Sequence, residues 1–147
     1  MAKFNYKMQN ILNIKLKLES QAKVAFAVEM QKLREEEHRL EMIYQDISRY
    51  EQALREASIG VLDVYEMNRC NDGITIKKSQ AEEQKKAIKI AERNVELARN
   101  KLNRIMVERK TQEVLRDKAF EEFVKEINYQ EAKEIDEVVS FQYSKEE

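Results

Sequence analysis

The chain contains no proline and no tryptophan, and only two glycines, one cysteine and one histidine. Each scarcity removes a class of protein. Without proline and almost without glycine there are few places where a helix must stop or a chain can turn tightly, so long helices are expected and a sheet is not. A lone cysteine, Cys70, permits no intramolecular disulfide and excludes a disulfide-stapled secreted domain. It reads as a small residue on a helical seam. His38 stands among Glu35, Glu36, Glu37 and Glu41 and reads as a surface residue, since zinc-type metal sites need convergent His or Cys ligands. The glycines, Gly60 and Gly73, belong to no Gly-Lys-Ser or Gly-Lys-Thr sequence, so there is no phosphate-binding loop. No apolar run approaches the roughly 18 residues of a membrane span, and the expectation is a cytosolic protein that meets membranes only through partners.

What the sequence does contain is charge and helical period. Of its 147 residues 37% are charged and 42% hydrophobic, and the apolar ones recur at helical spacing rather than in the sparse pattern of a disordered tract. From Ala22 the positions alternately four and three apart read Phe26, Glu29, Leu33, Glu36, Leu40, Ile43, Ile47, Tyr50, Leu54 and Ala57. That is a heptad seam sustained for five repeats. The intervening residues are mostly charged or amide, so such a helix has one narrow apolar stripe and needs a partner helix. The fold class is all-α, an elongated antiparallel two-helix coiled coil, that is, a monomeric helical hairpin. Carboxylates abound, but catalysis needs a pair held in a dry concave site, which two helices do not enclose. The chain reads as a non-enzyme without metal or cofactor.

A single hairpin over residues 1–147 divides as follows: first helix about 4–56, turn 57–61, second helix about 62–135, and a tail 136–147. Ser58-Ile59-Gly60 ends the first helix, with Gly60 suited to the left-handed position beyond a helix end. Asn71-Asp72-Gly73 is a second candidate turn with stronger turn chemistry. The heptad phase nevertheless runs through it, from Met67 and Cys70 to Ile74, Lys77 and Ala81, which favours one helix weakened at Gly73. On that reading helix propensity predicts that Gly73→Ala stabilises by about 1 kcal/mol. A short helix at 61–70 with a restart near Thr75 is the other reading. Beyond it the seam continues through Ile88, Ala91, Val95, Ala98, Leu102 and Ile105. Near the amino end Ile11, Ile14 and Leu18 drift from the heptad as a stutter does, and serve either extra packing or a further contact. The tail, with Val138, Val139, Phe141 and Tyr143 among acidic groups, either frays or orders on a partner.

A turn centred near residue 59 places Leu54 opposite Val64, Ala22 opposite Glu96 and Met8 opposite Lys110. Nothing in the first helix then covers residues beyond about Leu115, and Phe120, Phe123, Val124, Ile127 and Tyr129 project as an unpaired amphipathic helix. An exposed apolar patch of that size marks a binding surface. Charge is also segregated: residues 1–76 carry 11 Lys or Arg against 12 Asp or Glu, residues 77–118 carry 13 against 7, and residues 119–147 carry 3 against 9. An acidic end that offsets the basic stretch argues against nucleic acid as a partner.

The opening Phe4-Asn-Tyr-Lys-Met-Gln-Asn-Ile-Leu-Asn-Ile-Lys15, the Glu19 and Ala22 that follow, the Ser-Ile-Gly-Val turn at 58–61 and the closing Glu131-Ala-Lys-Glu-Ile-Asp-Glu137 together resemble the FliJ family. These are small soluble coiled-coil components of the bacterial flagellar type III export apparatus. The resemblance implies a hairpin similar to the central stalk of rotary ATPases. It implies binding to the hexameric export ATPase and the membrane export gate protein, escort of export chaperones, and a cytoplasmic location at the inner face of the membrane through those partners. It puts the terminal end in the ATPase ring, which assigns Phe120, Phe123, Val124 and Ile127 to ATPase binding. Gate contacts lie toward the turn, where Ile43, Tyr44, Tyr50 and Met67 are the apolar or aromatic candidates. Of these Tyr44 alone is off the seam. A structural or oligomeric coiled coil, and a secretion chaperone or adaptor without ATPase contact, are the alternatives.

Overall fold

The computed structural model describes residues 3–146, and Met1, Ala2 and Glu147, the ends of the expected hairpin and tail, lie outside the described residues. Two long helices pack together as an antiparallel hairpin: α1 (Gln9–Ala57, 49 residues) and α2 (Val64–Glu146, 83 residues). The chain divides into two compact units, Ala22–Leu102 and a terminal unit formed by Met1–Gln21 with Asn103–Glu147.

In the unit 22–102 the heptad period explains the core. Ala22, Ile47, Cys70, Ala81, Ala91 and Val95 are buried, with Leu33, Leu40, Ile43, Leu54 and Ile88 half-buried between them. Charged and amide seam positions are tied across the pair instead of buried bare. Lys77 Nζ meets Asp46 Oδ2 at 3.1 Å, the Gln84 amide donates to the Glu36 carbonyl at 2.8 Å, and Arg99 lies 5.7 Å from the centre of the Phe26 ring. Such an arginine over an aromatic face contributes about 0.5–1 kcal/mol at an exposed site.

The turn is built by local chemistry. Gly60 adopts φ 72°, the left-handed conformation that any Cβ penalises. The Ser58 hydroxyl donates back to the Leu54 carbonyl at 2.7 Å, and the Asp63 amide closes the loop on the Ala57 carbonyl at 3.2 Å. Asp63 then caps α2, its carboxylate accepting from the Glu66 amide at 3.1 Å. This cap sets the first residue of α2 at Val64, whereas the sequence places it near 62. Asn71-Asp72-Gly73 is helical throughout, and Gly73 does not have a positive φ.

The register differs from the one that turn arithmetic gives. Tyr50 lies against Gly73, about five residues beyond the position expected opposite it; Asp46–Lys77 shares that offset, and Glu36–Gln84 is displaced the same way by about two. The longer turn accounts for part of the shift. The rest brings Gly73 beneath the Tyr50 ring, where a Cβ would sit 2.6 Å from Cζ and 2.7 Å from Cε1. Alanine at 73 is therefore not the stabilising change that propensity predicts, because its methyl group needs space the ring already occupies.

Both ends of the hairpin also depart from expectation. Residues 3–8 are not helical, and α1 begins at Gln9, whose amide donates to the Tyr6 carbonyl at 3.0 Å. An extended residue spans about 3.3 Å against about 1.5 Å in a helix, so leaving the helix lets Phe4 reach farther along α2. At the other end α2 does not stop near 135. It continues to Glu146, since nothing between 128 and 146 is a helix breaker.

Candidate partner-binding surfaces

In the terminal unit Leu12 and the seam residue Ile105 are buried, and side chains that a heptad count does not find add to them. Glu19 is only 5% exposed and receives the Arg109 guanidinium as a fork, Nε to Oε2 at 2.6 Å and Nη2 to Oε1 at 3.2 Å, while Arg109 Nη1 reaches Glu113 at 2.9 Å. Glu19 first, and Glu113 after it, push the guanidinium further toward its charged form. Beside it Lys15 Nζ meets Glu108 at 2.8 Å and holds that carboxyl below the ordinary carboxylate range. A paired ion fork at a seam position fixes partner and register more than it adds stability. The signal in the sequence was a carboxylate three residues before the Ala22 seam position, where an apolar residue would continue the stripe.

Farther along, the Phe4 ring packs 5.2 Å from Phe120 and 5.3 Å from Phe123, and Phe120 and Phe123 are 6.5 Å apart. The Tyr6 hydroxyl donates to Gln112 at 3.3 Å. The expectation that nothing covers Phe120 and Phe123 is thus corrected: the non-helical amino terminus covers them in part. Phe123 and Ile127 are half-buried, whereas Phe120 remains 49% and Val124 39% exposed. Lys3 and Lys7 line one groove with Phe123, Glu122 and Glu126, so the ring cluster is bordered by both signs of charge. Beyond it, Tyr129, Ile135, Val138, Val139, Phe141 and Tyr143 are all more than half exposed.

In the unit 22–102 the four turn-side candidates separate. Ile43, Tyr50 and Met67 are half-buried, and Tyr50 is spent against Gly73. Tyr44 is 45% exposed. Glu82, and after it the Tyr44 hydroxyl, hold Lys85 above its ordinary value, which gives Tyr44 a charged neighbour on α2. Sequence reasoning missed the turn itself, where Ile59, Val61, Leu62, Val64 and Tyr65 are all exposed, Val61 almost completely. A turn needs no apolar residues, and five in seven positions was the available signal.

His38 is exposed, and among the described residues no group of three His, Cys, Asp or Glu could hold a metal. No helix among them is long and apolar enough to cross a membrane. The described residues thus form an antiparallel coiled-coil hairpin, of the all-helical class, with exposed apolar patches at the turn and along the end of α2. Residues 4–147 match the family described as flagellar FliJ protein, and the chain belongs to that family. It is accordingly a non-catalytic component of flagellar or type III export. No curated protein matches the chain. Among solved structures a "putative YscO homolog CT670 from Chlamydia trachomatis" is similar at 21% identity and a TM-score of 0.49, over 97% of this chain and 96% of that one.

Proposed function

We propose that the hairpin is a stalk-like link between the export ATPase hexamer and the membrane export gate protein, and that it escorts export chaperones from the cytoplasmic side of the membrane. The observation that carries this reading is the exposure of Phe120 and Val124 on α2, which the cover that Phe4 supplies leaves open. Phe120 and Val124 are the anchors offered to the ATPase ring, supported by Phe123 and Ile127 beneath them. Tyr44 is the anchor offered to the gate, while Ile43, Tyr50 and Met67 hold the seam behind it.

Turnover of the purified export ATPase, measured with increasing amounts of the chain, tests the link. A saturable change in turnover is expected, and it should disappear when Phe120 and Val124 are both replaced by serine. Unchanged turnover, with binding of export chaperones retained, would instead support an adaptor without ATPase contact.

A further inference from the structure

Two grooves on α2 carry opposite charge, and both lie in the terminal unit. One is lined by Val107, Lys110, Thr111, Val114, Leu115 and Lys118, with Val107, Val114 and Leu115 exposed. The neighbouring carboxylates Glu108 and Glu113 are engaged by Lys15 and Arg109, and the groove's own lining holds two lysines and no carboxylate. The other is lined by Glu131, Glu134, Ile135, Val138 and Val139, its three apolar residues between 55% and 63% exposed. Among the described residues Lys110, Lys118, Glu131 and Glu134 form no ion pair. Residues 77–118 carry a net +6 and residues 119–147 a net −6, so each groove sits in a stretch of its own sign.

The acidic groove cannot take an anionic membrane, or the same groove of another molecule, without setting like charges together. A groove with exposed apolar side chains and a basic border fits it, and this chain supplies one. The two cannot meet within a molecule, because one continuous helix carries both. In place of the monomer that the sequence leads one to expect, we infer that the acidic groove at 131–139 docks on the basic groove at 107–118 of a second copy of this chain, burying Ile135 and Val138 against Val114 and Leu115 and facing Glu131 and Glu134 with Lys110 and Lys118. A pair in which each molecule uses both grooves closes as a two-fold dimer, and one-way use builds a chain of molecules.

Sedimentation velocity on the full chain over a concentration series reads this association. It should weaken as salt rises from about 0.1 M to about 1 M, where the Debye length falls from about 10 Å to about 3 Å. The pair Glu131→Lys with Glu134→Lys, and separately the pair Lys110→Glu with Lys118→Glu, should each raise the dissociation constant at least about tenfold through like-charge contact. Mixing the two variants should restore a mixed species. Circular dichroism checks that both are helical, and Val138→Ser reads the acidic groove without a charge reversal should either lose helicity. A wild-type chain that stays monomeric throughout at about 0.1 M salt overturns the inference. So does association that neither pair of reversals weakens, or a mixture that restores nothing.

Discussion

Residues 22–102 and the terminal unit use the same two helices but are held by different chemistry. In the first, small and branched residues at heptad positions do the packing, and polar ties such as Asp46–Lys77 flank them. In the second, Leu12 and Ile105 still pack, but a buried carboxylate gripped by Arg109 and a cluster of three phenylalanines join them, and one of the three comes from outside the helix. The contrast shows what a narrow apolar stripe can and cannot do. It holds two helices together wherever they run side by side, but it says little about which residues face each other. A fork that fits one guanidinium, or a ring that fits over one glycine, supplies that information.

Arg109 offers the largest break in the comparison. Arg109→Ala removes both prongs from a carboxylate that is nearly enclosed, and should give the largest fall in denaturation midpoint of these variants. Replacing Glu19 by leucine together with Arg109→Met should recover most of that loss, since a well-packed apolar pair at such a site is often as stable as the ion pair. The terminal unit would then resemble the other one in its chemistry. If the double variant is as unstable as the single, the fork contributes stability as well as register.

Gly73 is the next test. Gly73→Ala should destabilise by about 1–3 kcal/mol through overpacking against Tyr50. In a Tyr50→Leu background the same substitution should instead gain about 1 kcal/mol, the ordinary preference for alanine in a helix. Thermal melts of the four proteins decide whether the ring causes the sign change.

The smallest expected effect is on pH dependence. Lys15 holds the Glu108 carboxyl below its ordinary value, so this pair contributes stability at neutral pH that is lost as pH falls through the folded-state value. Melting temperature should therefore drop on acidification, and Lys15→Ala should flatten that drop. An unchanged profile in the variant would show that the pair is screened by solvent.

Much of the fold was legible because a two-helix coil repeats one local rule. The seam from Ala22 to Leu54, the turn at Gly60 and the helix through Asn71-Asp72-Gly73 all follow from spacing and one glycine. Asp63 was harder to see as a cap, because its carboxylate works on the backbone of Glu66 and leaves no mark on the period. The register was not legible at all, since counting from a turn assumes a loop length and ignores the fit of Tyr50 to Gly73. Among the candidate surface residues, Tyr44 could be recognised from its place off the seam, and its exposure agrees with that. The cover over Phe120 and Phe123 was hidden because apolar residues at 4–8 suit a helix as well as the extended arm that Phe4 needs.

The proposal that the two units serve different partners is tested most directly by one pair of titrations. Wild-type chain, the Phe120→Ser and Val124→Ser double variant, and Tyr44→Ser are each titrated against the ATPase hexamer and against the soluble part of the gate protein. The double variant should bind the hexamer at least about tenfold more weakly, as expected when exposed apolar anchors are lost, and bind the gate normally. Tyr44→Ser should do the reverse. Variants that weaken both partners equally, or neither, would contradict the assignment of one partner to each unit.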